Sequence, residues 1–430
     1  MPSQPQSITN VIVVLVDTLR ADHMSTYGYE RQTSPFIDEF ATGAVVFEHA
    51  RSQSSCTFPS VNSLMTSRYP NVFARQGKGQ FGIPVQYPAI AEVLDDLGYY
   101  TVAVSQSPVV RKTPSKHNPN GGFGRGFDRF IEGCVWRHGT CLNRAIFKEL
   151  ELLERPFFLY LHYMEPHAPY FHPEKHPLQF AGEYEGFDFI RDGNPKPIGK
   201  MIYDGGPEYK LTDRDIQHLV DLYDDEVLFF DEVFRSLVQE LEANGLLEET
   251  LIVFASDHGE EFLEHGHISH CRGVWDTVTH VPLFFKIPGV DGQRLEAAVQ
   301  NLDIVPTILD YLAIDGERYG FEGKSLRSVI EGRDLASLYA FSKQTEYYSA
   351  DDGRFHLILD ASNDRFTLFD IRNDPLEQSN LWDPSHAELG PLRSAFDGWL
   401  EQTSQLQRLD ESTAADRAKE EELRALGYLE

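Results

Sequence analysis

The chain has 430 residues, of which 38 are Lys or Arg and 67 Asp or Glu, a formal net charge of −29; its hydrophobic and aromatic shares, 41% and 12%, are those of an ordinary globular protein. A field of that sign repels nucleic acid and acidic membrane surfaces, and no window of the sequence is long and apolar enough to span a bilayer. The opening residues, MPSQPQSITN, have no basic segment followed by an apolar one, so a cytoplasmic location is expected.

In chain order, NVIVVLVD (Asn10 to Asp17) is a nearly unbroken apolar run ending in a carboxylate, the pattern of a strand buried on both faces of a parallel sheet. YTVAVSQ, RPFFLYLHY, TLIVFASD and VPLFFKIPG repeat it. Between them lie helical patterns, the longest from Leu211 to Gly245 and closed by ANG. This alternation predicts an α/β fold with a mainly parallel sheet over residues 1–323. After Gly323 shorter strand-like pieces (LYAFSKQTEYYS, FHLILD, RFTLFDI) separated by DDG and SND turns predict a small antiparallel subdomain with terminal helices over residues 324–430. The charged tail from Ala414 to Arg424 reads as a surface helix. Four cysteines do not make a disulfide framework in a chain of this length. Cys134 and Cys141 are near enough in sequence to bridge, but free thiols are expected.

Ligands of open α/β sheets sit beyond the carboxyl ends of the strands. The first strand delivers Asp17 there, RPFFLYLHY delivers His162 and runs on to His167, and TLIVFASD ends in Asp257 and His258, with His265, His267 and His270 following. One Asp at a strand end is ordinarily a helix cap, whereas a set converging from separate strands points to a metal site. Carboxylates and imidazole with a hydroxyl favour Zn²⁺ or Mn²⁺ over the all-oxygen preference of Ca²⁺, which remains an option for the one divalent ion expected.

With these pieces in place the chain resembles the sulfatase branch of the alkaline phosphatase superfamily. The resemblance rests on NVIVVLVDTLRADHMSTYGY, FPSVNSLMTSRYP, LHYMEPHAPY, TLIVFASDHGEEFLEHG, VPLFFKIPG, LDIVPTILD, FEGKSL and LFDIRNDPLEQSNL, which follow the family's order along nearly the whole chain. It implies a large mixed, mostly parallel sheet sandwiched by helices, with a small C-terminal antiparallel sheet. It also implies a nucleophile in a Cys/Ser-x-Pro-Ser-Arg motif. Aligned on LMTSRYP without a gap, that position is Thr57, followed by Pro59 and Ser60; Cys56 is one residue too early, and Val61 stands in place of the arginine. Threonine is not a formylglycine precursor, so the resemblance turns toward the superfamily's threonine-nucleophile phosphodiesterases and phosphoethanolamine transferases.

The implied site is one divalent metal held by Asp17, Thr57, Asp257 and His258, with Thr57 as nucleophile. His167 and His270 are expected to hold the substrate's oxygens and to supply a proton, and His162 to bind substrate or to stand behind the site. His265 and His267 are read as orienting the loop, and Glu260, Glu261 and Glu264 as solvated or supporting. The function expected is hydrolysis of a phosphodiester or phosphonate monoester through a phosphothreonine, on a small anionic ester. The alternatives are a sulfatase without formylglycine, a phosphoryl transferase, and an anion-binding protein without catalysis. Gln106 to Cys141 and Pro169 to Tyr209 are candidate walls of the substrate pocket.

Overall fold

A computed structural model describes residues 8–70, 82–84, 86–135, 138–153, 156–170, 177–186, 211–333, 338–386 and 388–404. An eight-stranded sheet forms its centre, in the order β10 (Gln293–Gln300), β2 (Val45–Arg51), β9 (Leu283–Lys286), β6 (Thr250–Ser256), β1 (Asn10–Val16), β5 (Phe157–Tyr163), β3 (Tyr100–Ser105), β4 (Arg129–Ile131). Every pairing is parallel except those of β9, which runs against both β2 and β6. The expected mixed, mostly parallel sheet is present, with VPLFFKIPG as its antiparallel member.

Successive side chains of a strand point to opposite faces, so a strand covered on both sides must be apolar at every position. In β1, Ile12, Val14 and Val16 join one core with Phe230 and Phe234 of the long helix α5 (Asp213–Ala243) and Leu142 of α4 (Gly139–Leu150). Val11, Val13 and Leu15 join the opposite core with Val61 and Leu64 of α2 (Thr57–Thr66), Ile90 of α3 (Ile90–Asp95) and Ile308 of α7 (Ile304–Tyr311). Helix α5 starts at a reciprocal cap, in which Asp215 N donates to Thr212 Oγ1 (3.2 Å) and Thr212 N to Asp215 Oδ2 (2.7 Å). It is followed by Gly245 at φ 65°, a left-handed residue that suits glycine.

The second sheet, β11 (Ala340–Gln344), β12 (Tyr347–Asp351), β13 (Phe355–Asp360) and β14 (Arg365–Asp370), is wholly antiparallel. It is tied to the large sheet by Lys343 N donating to Gln53 O (2.9 Å) and by buried Arg51, whose Nη2 meets Asp351 Oδ2 at 2.7 Å and Asp276 Oδ1 at 2.5 Å. A helix over 390–404 seals the far face with Phe396 and Trp399.

The cysteines depart from expectation. All four are paired, Cys134 with Cys141 and Cys56 with Cys271, the second pair 215 residues apart in sequence. Residues 171–176, 187–210 and 405–430, which include most of Pro169 to Tyr209 and the whole Ala414 to Arg424 tail, lie outside the described residues.

Candidate active site

Adjacent strands build the site. β5, β1 and β6 are neighbours in register, with Leu15 beside His162 and Val16 beside Ser256, so His162, Asp17 and Asp257 emerge together at one edge. From the far side of the sheet, the chain leaving β2 delivers Thr57 at the first turn of α2, where helix N–H groups are unpaired and the field favours negative charge.

Asp257 Oδ1 accepts the backbone N–H of Thr18 (3.2 Å) and of His258 (2.9 Å), which leaves Oδ2 without a partner. Thr18 turns the chain at φ 57°. Asp17 Oδ2 accepts from His162 Nε2 (3.2 Å), while Oδ1 has no hydrogen-bond partner. His258 donates Nδ1–H to Gly259 O (2.9 Å), so its Nε2 presents a lone pair. That nitrogen stands 3.2 Å from Thr57 Oγ1, 3.5 Å from Asp257 Oδ2 and 3.8 Å from Asp17 Oδ1. Burial and the neighbouring His270 push His258 down to about 3, so the ring is neutral. Burial and the charge of Asp17 push the Asp257 carboxyl well up, whereas the imidazoles of His162, His167 and His258 outweigh burial at Asp17 and hold it low.

Two buried carboxylate oxygens without hydrogen-bond partners face a nitrogen lone pair, and the one proton that the raised Asp257 carboxyl can hold does not serve all three atoms. A divalent cation satisfies the three at once, and ligand atoms of Asp17, Asp257 and His258 all lie within 4.8 Å of one another. The donor set fits the group expected.

His162, expected to bind substrate or to stand behind the site, is fully buried; besides its bond to Asp17 it accepts from Tyr160 OH (2.9 Å), so both ring nitrogens are engaged. His167 and His270 lie together, ring centroids 5.1 Å apart, and His270 lies 4.5 Å from the His258 ring. His270 Nδ1 donates to Glu260 Oε1 (2.9 Å); burial acts to lower its pKa, and the Glu260 carboxylate outweighs it, so the imidazole is biased toward its charged form.

Of the acidic residues of this loop, Glu260 and Glu261 are buried and Glu264 is partly exposed. Glu260 serves His270, Glu261 accepts from His265 Nδ1 (2.8 Å) and Glu264 binds buried Arg20 (2.6 Å). His265 also stacks on Trp275 at 4.4 Å and so fixes the loop, while His267 accepts at its carbonyl from Leu263 N (2.7 Å).

The model of the Sulfatase family matches residues 9–314, and that of the N-sulphoglucosamine sulphohydrolase C-terminal region matches residues 264–392. The chain belongs to the sulfatase family. Enzymes of this family are metal-dependent, in keeping with the cluster at the strand ends. An arylsulfatase of Hemicentrotus pulcherrimus is 24% identical, the match covering 75% of this chain and 61% of that protein; a sulfatase of Formosa agariphila is 23% identical, covering 86% and 82%. The phosphonate monoester hydrolase of Agrobacterium radiobacter shares the fold, at TM-score 0.69 and 18% identity over 94% and 96% of the two chains. Among the described residues no helix of this sulfatase-family chain is long and apolar enough to cross a membrane. What the sequence reading missed is the bond that closes the site. Cys56 precedes Thr57 and Cys271 follows His270, an adjacency that was the available signal for a crosslink.

Proposed function

We propose that the protein is a metal-dependent hydrolase of phosphodiesters or phosphonate monoesters that uses Thr57 as its nucleophile. The observation that carries this reading is the place of Thr57 Oγ1, at a helix start and 3.2 Å from the lone-pair nitrogen of His258. The neighbouring thiol does not compete, since Cys56 is bonded to Cys271.

Asp17, Asp257, His258 and Thr57 would hold the ion, with Zn²⁺ or Mn²⁺ suited to the donor set. A divalent cation there supplies Lewis acidity that brings the alkoxide of Thr57 within reach near neutral pH. Thr57 Oγ1 attacks phosphorus in line. His167 and His270 donate hydrogen bonds to the non-bridging oxygens, and His270, kept protonated by Glu260, passes its proton to the leaving oxygen. Water then attacks the phosphothreonine, with His270 returning as base.

Hydrolysis of a sulfate ester by the unmodified threonine is the second reading, favoured by the names of the relatives. The two readings part at the covalent intermediate. Acid quench during turnover of an aryl phosphodiester, followed by peptide mass spectrometry, is expected to find the phosphoryl group on Thr57; its appearance on another residue would end this proposal.

A further inference from the structure

We propose that the Cys56–Cys271 disulfide is a positioning crosslink that holds His270 opposite Thr57, and that thiol reductants switch off turnover by opening it while the fold persists. The inference rests on the roles given to Thr57 and His270 above. Cys56 occupies the N-cap of α2 yet makes no side-chain cap hydrogen bond, so its sulfur serves the crosslink instead of the helix. On the other side, His270 sits between two non-glycine residues in left-handed backbone, Ser269 at φ 77° and Cys271 at φ 72°. Such conformations persist only where the surroundings over-determine them, and they gather at functional sites.

Those surroundings converge on the disulfide. Cys271 N donates to Ser55 O (2.8 Å) and Ser55 Oγ to Gly273 O (2.6 Å). Gln344, from the C-terminal sheet, reaches both sides of the bond: it accepts from Ser54 Oγ (2.5 Å) and donates to Cys271 O (3.1 Å) and Cys56 Sγ (3.7 Å). The hydrogen bonds align the two segments, and the covalent bond fixes the distance between nucleophile and acid. A crosslink at the hydrophobic core would stabilise the fold at large. This one joins the residue before the nucleophile to the residue after His270, so its loss falls first on catalytic geometry.

The switch is a thiol–disulfide exchange. One thiolate of a dithiol reductant attacks a protein sulfur and the other cysteine leaves; closure of the reductant's own disulfide then releases the second cysteine, so two electrons and two protons pass to the protein. Oxidised glutathione reverses the exchange and leaves as two thiols.

The test uses the metal-replete full chain carrying Cys134→Ser and Cys141→Ser, so that one disulfide remains. Dithiothreitol is expected to lower its kcat by about tenfold or more, with the far-UV circular dichroism unchanged and activity restored by oxidised glutathione. On the same background His270→Ala is expected to change by less than about twofold on reduction, because the residue being positioned is already gone. A Cys56→Ser/Cys271→Ser protein should not respond to the reductant. An unchanged kcat on reduction, an equal loss in the His270→Ala background, including loss through unfolding, or the same response without Cys56 and Cys271 would each overturn the proposal. Full activity of Thr57→Ala would instead remove the reading of the site on which it rests.

Discussion

Thr57 Oγ1 lies 3.2 Å from Nε2 of His258, 201 residues further along the chain, and the other nitrogen of that ring is committed to Gly259 O. The hydroxyl therefore faces a lone pair rather than an N–H. Thr57→Ala is expected to lower kcat by about 10³-fold or more, while Thr57→Ser, which keeps the oxygen, retains a measurable share. Steady-state kinetics on an aryl phosphodiester, with the metal content of both variants matched, checks this; an active alanine variant would remove Thr57 from the chemistry.

Metal content and activity should fall together. Chelation is expected to abolish turnover, Asp257→Asn and His258→Ala to lower occupancy. His162→Ala is expected to weaken metal affinity by about tenfold through loss of its bond to Asp17. Metal titration followed by mass spectrometry of the bound ion distinguishes this from a substrate contact, whose loss would raise KM at unchanged occupancy.

The pH profile reports on Glu260. His270 has its pKa raised, burial opposing and the Glu260 carboxylate prevailing, and in the proposed role of proton donor it would have to be charged. Activity should thus fall as pH rises through the His270 value. Glu260→Gln removes the carboxylate and should move that falling limb of kcat/KM to lower pH. An unmoved limb would assign the proton to another group.

How legible the molecule is in its sequence follows burial. β1, β5 and β6 are covered on both faces and read as continuous apolar runs, so the strand ends carrying Asp17, His162, Asp257 and His258 were in view at once. β10 lies at the sheet edge and its sequence, QRLEAAVQ, is neither a continuous apolar run nor a strict alternation, and the polar Glu48 and His49 interrupt β2, so neither announced itself as a strand. Whether His162 stands beside a substrate or behind Asp17 was not legible, because a strand residue faces one side or the other according to register, which only the pairing with β1 fixes. The Cys56–Cys271 bond spans too much chain for spacing to signal it.

Between the two sheets, the buried Arg51–Asp351 pair predicts acid lability. Burial opposes ionisation of Asp351, but Arg51 prevails and holds its pKa below the ordinary 3.8. A depressed carboxylate contributes stability that is complete above 3.8 and lost as pH falls through the lower folded value. Asp351→Asn should cost about 3 kcal/mol near neutral pH, since it strips one partner from a buried charge, and the deficit should shrink on acidification. Thermal melts from pH 7 to pH 3 measure it; a neutral Asp351→Asn at pH 7 would contradict the assignment.

Preference for a phosphorus ester follows from charge and from how the covalent enzyme is cleared. A sulfate monoester and a phosphodiester each bring one negative charge, whereas a phosphate monoester brings nearly two. In the proposed site these would meet one cation and the imidazoles of His167 and His270, in a chain of net charge −29. An unmodified threonine must also be freed by attack on the central atom, which suits phosphothreonine and leaves sulfothreonine stranded. Side-by-side kcat/KM values for an aryl phosphodiester, an aryl phosphonate monoester and an aryl sulfate on the metal-replete enzyme test this most directly. One of the first two is expected at least about tenfold above the sulfate, roughly 1.4 kcal/mol in transition-state stabilisation. Turnover of the aryl sulfate faster than every phosphorus ester tried would contradict it.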